Sequence, residues 1–198
     1  MMGLHPCSVD ENVDEVLSRI IEQFYDRKEE YIAIGEIGID LYWDKSFLKQ
    51  QQDAFSRQID LAKKENLPIV IHCRESFDEI FEILEEKNDD SLRGIFHYFT
   101  GTVEQGRRIL DYGDFKLGIG GVVTFKNSGL DKVVSQLNLK DLVLETDSPY
   151  LAPVPYRGKR NESGYLIEVA NKIADICQRD IEEVARITTM NCKDICKV

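Results

Sequence analysis

Two hydrophobic rhythms alternate along the chain. Short, nearly unbroken apolar runs occur at Tyr31-Ile32-Ala33-Ile34-Gly35, Leu67-Pro68-Ile69-Val70-Ile71, Gly94-Ile95-Phe96, Phe115-Lys116-Leu117-Gly118-Ile119 and Leu142-Val143-Leu144. Their length and lack of polar interruption predict buried strands. Between them, apolar residues recur at helical spacing: Val13, Val16, Leu17, Ile20, Ile21 and Phe24 in one stretch, and Leu48, Phe55, Ile59 and Ala62 in a helix over 46–66. Further helices are predicted at Phe77–Leu84, at Val103–Leu110, around Val133, Val134 and Leu137, and over 164–177. A last one starts at Asp180, where Glu183 three residues on makes a capping-box-like opening.

Strands that are apolar on both faces, alternating with amphipathic helices, predict an α/β fold with a parallel sheet covered by helices. The position of the polar residues chooses between an open doubly wound sheet and a closed barrel. Glu36, His72, His97 and Asp147 each follow a different apolar run, at the strand ends where barrel enzymes gather their chemistry. An open sheet would carry a Gly-rich phosphate loop after an early strand, and Gly118-x-Gly120-Gly121 lacks that spacing. The expectation is a TIM-type (β/α) barrel in a single domain over residues 1–198, with five strands recognisable where eight close a barrel.

Composition narrows this picture only slightly. A chain of 198 residues, 42% hydrophobic and 31% charged, is ordinary for one globular domain. No apolar run approaches a membrane span and the N-terminus lacks the regions of a signal peptide, so no membrane partner and a cytoplasmic address are expected. The formal charge of −11 argues against a general nucleic-acid surface. A metal centre and a local basic loop can still reverse the potential at one mouth. The five cysteines are an odd set without metal-knuckle spacing and read as free thiols, with Cys192 and Cys196 sharing a helix face.

Two imidazoles and two carboxylates at strand ends form a ligand set suited to Mg²⁺, Mn²⁺ or Zn²⁺, and such a centre activates water for phosphodiester hydrolysis. Each residue also has a structural reading. A strand-end His can be a hydrogen-bonded core residue, Glu36 can pair with Arg74, and Asp147 can open the turn at Asp147-Ser148-Pro149. Taken together, the four favour a metal site. Arg157, Lys159 and Arg160, on the loop Pro153–Asn161, are candidates for holding phosphate, set against a plain solvated surface.

The segments Gly35-Glu36-Ile37-Gly38-Ile39-Asp40, Ile71-His72-Cys73-Arg74, His97-Tyr98-Phe99-Thr100-Gly101 and Glu145-Thr146-Asp147-Ser148-Pro149-Tyr150-Leu151 closely resemble the TatD family of metal-dependent deoxyribonucleases. So do Gly3-Leu4-His5-Pro6, Val123-Thr124-Phe125-Lys126-Asn127, Pro155–Asn161 and Thr188-Thr189-x-Asn191, in order over essentially the whole chain. The resemblance implies a TIM-type barrel of the metal-dependent hydrolase kind that cuts phosphodiesters, often from the 3′ end of DNA, with Mg²⁺ or Mn²⁺ as the expected ions and Zn²⁺ as the alternative. It assigns Glu36 to bridge two metals, His72 and His97 to one of them, and Asp147 to the other and to the base that orients water. It places His5 near the mouth and Arg74, Arg157, Lys159 and Arg160 on phosphates, with Tyr98 or Phe99 stacking a base. For Phe99 the residues themselves favour core packing. Asp40 and Glu145 read as supports behind the ligands.

One departure stands out. The family opens on a strand with a His-x-His pair, and among the three histidines here no such pair exists. Gly3-Leu4-His5-Pro6 matches the end of the family's third strand, so five strands and the end of a sixth are expected. Weakened metal binding on the Asp147 side and self-association over open edges follow as expectations. Two other functions compete with a DNase: removal of a D-amino acid from tRNA on the same metal site, and a non-catalytic binding module.

Overall fold

The computed structural model describes residues 1–198 and follows the predicted alternation. In chain order the elements are α1 (Val13–Asp26), β1 (Ile34–Asp40), α2 (Leu48–Lys64), β2 (Ile69–Arg74), α3 (Phe77–Lys87), β3 (Gly94–Phe96), α4 (Val103–Asp111), β4 (Phe115–Ile119), α5 (Leu130–Val134), β5 (Leu142–Leu144), α6 (Leu166–Cys177) and α7 (Ile181–Cys196). They form two compact units. The first is Met1–Phe96 with Tyr112–Asp114, and the second is His97–Asp111 with Phe115–Val198.

In the first unit β1 pairs with β2 and β2 with β3, all parallel. Ile34, Ile37, Ile39, Ile69 and Ile71 are completely or almost completely buried, together with Phe24, Phe55, Ile59 and Phe81 from the helices. Each such side chain contributes about 1.5–3 kcal/mol when taken out of water, which is why these runs become strands under helices and not loops. Met2 makes a parallel bridge to Ile34, with its N–H on Ala33 O and its carbonyl accepting from Gly35 N–H at 3.0 Å. The chain that follows, through Leu4, packs with Val9, Val13, Leu17 and Ala54.

β1 departs from the sequence expectation. It begins at Ile34 and runs on to Asp40, so Glu36 lies within the strand and not at its end. Ile37 and Ile39 are buried and pair with Ile71 and Cys73, which holds the backbone extended. The register shifts between Gly35 and Ile37, leaving Glu36 as the extra residue of a bulge. A bulge re-aims one side chain without ending the strand. Gly38 has φ +139°, and a Cβ there would stand 2.1 Å from the carbonyl oxygen of His72, so only glycine lets β1 and β2 meet at this point. β2 likewise continues past His72 to Arg74, which pairs with Asp40.

Two buried glutamines on α2 tie the first unit's chain to the helix. Gln51 accepts from Asp40 N–H at 2.9 Å and donates to Asp40 O at 3.2 Å. Gln58, two turns on, accepts from Leu4 N–H at 2.6 Å and donates to Leu4 O and Ala54 O. The seven-residue spacing puts both on one helix face, where a carboxamide satisfies main-chain groups that a strand would otherwise pair.

In the second unit β4 and β5 are parallel, Leu117 opposite Leu142. Asp180 caps α7 through the N–H of Glu182, as the sequence start signal predicts. Asn191 of α7, in the Thr188-Thr189-x-Asn191 motif, donates to Leu139 O and Leu142 O at 2.9 and 2.7 Å and so pins the helix beneath β5. Asn161, 2% exposed, holds the long loop after β5 by donating from its side chain to Tyr150 O and from its backbone to Pro149 O. No helix is long and apolar enough to cross a membrane.

Candidate metal centre

The bulge in β1 turns the Glu36 carboxylate toward two imidazoles. Glu36 Oε2 lies 3.9 Å from His72 Nδ1 and 3.7 Å from His5 Nε2, and the two imidazole nitrogens are 3.2 Å apart. His5 reaches this point because Leu4, the residue before it, is clamped by Gln58. His5, Glu36 and His72 each present one ligand atom within 4.8 Å of the others, and all three are half-buried. Sequence alone left the role of His5 open, and the structure brings it into the Glu36–His72 group.

The proton positions follow from one fixed acceptor, Asp40, and one fixed donor, the Cys7 amide. His72 Nε2 lies 2.8 Å from Asp40 Oδ2, so that nitrogen carries the proton and Nδ1 presents its lone pair toward Glu36 and His5. His5 Nδ1 accepts from the Cys7 amide at 3.1 Å, so its proton is on Nε2, pointing at His72 Nδ1. His72 is therefore ready to ligate an ion. His5 can donate as it stands, or ligate after giving up the Cys7 bond, worth about 0.5–1.5 kcal/mol. That is small beside the affinity of a metal site. Asp40 is itself 3% exposed. Burial pushes its carboxyl up, but the hydrogen bond to His72, the Tyr42 amide and the Cys7 thiol outweigh this and hold it below the usual carboxylate range. An anion so placed orients the ring and makes Nδ1 a better ligand.

In the second unit the same device recurs. His97 Nδ1 lies 3.0 Å from Glu145 Oε2, and its Nε2 faces Asp147 Oδ1 at 3.9 Å. Glu145 also accepts from the Tyr98 amide. Gly118 makes room for that carboxylate, since a Cβ there would lie 2.2 Å from Glu145 Oε1. His72 and His97 thus each have one nitrogen engaged by an acid behind it and the other turned toward a second acid. Asp40 and Glu145 are the acids in contact with the rear nitrogens of His72 and His97.

The remaining candidates divide clearly. Phe99 is 3% exposed, its ring edge close to Gly106, so it packs in the core, the reading its own residue pattern favoured over base stacking. Tyr98 lies against Gly120, where a Cβ would meet its ring at 2.1 Å, and its hydroxyl donates to Leu151 O at 3.4 Å. Burial, then Asp147 and Glu145, push the Tyr98 phenol up, so it stays a neutral donor. Arg157, Lys159 and Arg160 are exposed, with the Arg157 guanidinium over the Phe125 ring at 3.7 Å and Lys159 near Tyr156, which stacks on Tyr165. Arg74 is exposed and lies 3.7 Å over the Tyr42 ring. Gln51 and Gln58 were missed by sequence reasoning. Their only signal was two amides, seven apart, on an otherwise apolar helix face.

Imidazole and carboxylate donors of this kind fit a divalent ion of borderline hardness. Comparison with known proteins points to metal-dependent hydrolases. The profile of the family described as TatD related DNase matches residues 1–197. YabD of Bacillus subtilis strain 168, described as an uncharacterized metal-dependent hydrolase, is 41% identical over 198 residues, covering 100% of this chain and 76% of that protein. YcfH of Escherichia coli K12, described in the same words, is 35% identical over 191 residues, covering 96% of this chain and 70% of YcfH. The crystal structure of YjjV, a TatD homologue from E. coli K12, superposes with a TM-score of 0.92 at 28% identity, over 100% of this chain and 76% of YjjV. The fold is accordingly that of the TatD-type (β/α) barrel, represented here by five of its strands and the end of a sixth. With the family profile spanning residues 1–197, and with the motif residues arranged as described, the chain belongs to the TatD-related DNase family.

Proposed function

We propose that this protein is a divalent-metal-dependent hydrolase that cuts phosphodiester bonds of DNA, acting on single-stranded ends. The observation that carries the reading is the convergence of His5, Glu36 and His72 within 4.8 Å, with His72 locked by Asp40 in the tautomer that ligates through Nδ1. In this reading Glu36 and His72 hold an ion in the first unit, and His97 and Asp147 are the ligand-bearing residues of the second. The bound ion would supply Lewis acidity and make a water easier to deprotonate, so that it can attack a phosphorus centre as hydroxide.

The protein's own residues do the rest. Asp147, less enclosed than Glu145, is the carboxylate free to take a proton from the attacking water, because Glu145 is already engaged by His97 and the Tyr98 amide. His5, with its proton on Nε2, can donate to a phosphate oxygen. Arg74, Arg157, Lys159 and Arg160 supply positive charge for the substrate backbone in a chain of net charge −11. The borderline donor set favours Mn²⁺ or Zn²⁺ over Mg²⁺ for tight binding, while the abundance of Mg²⁺ favours its occupancy.

The test is hydrolysis of a single-stranded oligodeoxynucleotide with Mg²⁺, Mn²⁺ or Zn²⁺ added in turn, beside Glu36→Gln. Metal-dependent cleavage that the substitution removes is the expected result. Cleavage that survives Glu36→Gln, or none with any ion, would reject the reading.

A further inference from the structure

We infer that the Tyr42–Trp43–Arg74 cluster is a stacking site for an unpaired nucleobase beside the first-unit metal group. The inference rests on the phosphodiesterase reading and gives it a substrate contact. Trp43 is the chain's single tryptophan and is 74% exposed, and Tyr42 is 48% exposed. Burying a Trp is among the larger gains open to a folding chain, so a Trp left in water beside a binding site is best accounted for by a ligand. The two rings meet edge to face, centroids 4.7 Å apart at 89°. The Arg74 guanidinium lies 3.7 Å over the Tyr42 ring and 5.6 Å from the Trp43 centroid. Arg74 therefore occupies a face of Tyr42, braces the pair and stays exposed, where it can meet an anion.

The cluster is joined to the metal group through the backbone and through Asp40. Arg74 is two residues beyond His72 on β2 and pairs in register with Asp40, and Leu41 N–H donates to Arg74 O at 2.9 Å. Asp40, which grips His72 Nε2, also lines a cavity of about 220 Å³ shared with Cys7, Trp43, Asp44 and Phe47. That volume lies below the roughly 300 Å³ at which drug-sized ligands begin to be held, and suits a single ring system. Asp44, the acid that follows Trp43, is tied into its own turn by the Ser46 amide at 2.7 Å. An aromatic face, a guanidinium for the adjoining phosphate and a metal group next to them are what a single-stranded nucleic acid requires. A base stacked inside a duplex could not lay its face on Trp43, so the site selects unpaired bases.

Because Trp43 is the only tryptophan, its fluorescence reports on this site alone. The experiment titrates the protein, with no divalent cation added so that strands are not cut. The titrants are an oligothymidylate and an abasic oligomer of equal length. Stacking should quench Trp43 saturably with the oligothymidylate and leave it unchanged with the abasic strand. By anisotropy of labelled strands, Trp43→Leu should weaken oligothymidylate binding roughly five- to hundred-fold. Trp43→Phe should restore most of it, a pattern that lost packing of a side chain so exposed would not produce. Equal quenching by the abasic strand, unchanged binding by Trp43→Leu, or no binding of either strand by the parent protein overturns the proposal. Metal-dependent hydrolysis of a base-free phosphodiester by the parent protein is measured alongside. If that occurs while Trp43 stays silent, the stacking site falls and the phosphodiesterase reading stands.

Discussion

Asp40 Oδ2 stands 2.8 Å from Nε2 of His72, and that single contact decides which nitrogen of the ring faces Glu36 and His5. Asp40→Asn keeps the size of the side chain and removes its charge. It should leave the fold intact and weaken Mn²⁺ or Zn²⁺ binding by about 10- to 100-fold, the usual cost of losing such a support. Isothermal titration with either ion checks this, and affinity equal to the parent would show that His72 does not need the anion.

Gln51 matters for the same residue from the other side. Its carboxamide takes both main-chain groups of Asp40, and Gln51→Leu would leave a buried N–H and a buried carbonyl without partners. The expected loss in urea unfolding is about 2–4 kcal/mol. Gln58→Leu should cost a similar amount through Leu4.

Gly38→Ala tests the close approach of β1 and β2. The added methyl would sit 2.1 Å from a backbone oxygen, at a φ that L-residues rarely adopt, and backbone cannot swing aside as a side chain can. A destabilisation of at least about 3 kcal/mol is expected, read from the shift in the urea midpoint.

Thiol chemistry should follow pH unevenly. Cys192 is exposed on the last helix, and a hydrogen bond from Cys196 lowers its thiol to about 6, against the opposing effects of burial and Glu145. Cys73, pushed up to about 12 chiefly by burial, stays protonated. The thiolate is the reactive form, so alkylation of Cys192 should rise as pH increases through about 6 and level off above it, while Cys73 stays unlabelled across the same range. Mass spectrometry after brief iodoacetamide treatment checks both sites, and Cys196→Ser, which keeps a donor, should preserve more of the effect than Cys196→Ala.

Metal binding should also register in stability. An ion that binds only the folded chain raises its melting temperature with concentration. Calorimetry with added Mn²⁺ should show that rise, and Glu36→Gln should remove most of it.

Much of this was legible along the chain. The strand runs at Gly94–Phe96, Phe115–Ile119 and Leu142–Leu144 coincide with β3, β4 and β5, because a short, uniformly apolar segment has few other ways to bury itself. The residues with metal-binding chemistry, Glu36, His72, His97 and Asp147, stand out because charge and imidazole are rare beside such runs, and the family motifs are local in sequence. Only tertiary structure decided how these residues are aimed. The Glu36 bulge depends on pairing with β2, a partner more than thirty residues away, and hydrophobic pattern does not record register. The role of His5 depends on Gln58 holding Leu4, and the ring orientation of His72 on an aspartate held by Gln51. Residue type and spacing therefore determined the order of the elements and which residues carry imidazole and carboxylate beside them. Long-range hydrogen bonds to main-chain groups determined which atoms face one another, because their partners are brought together only by the fold.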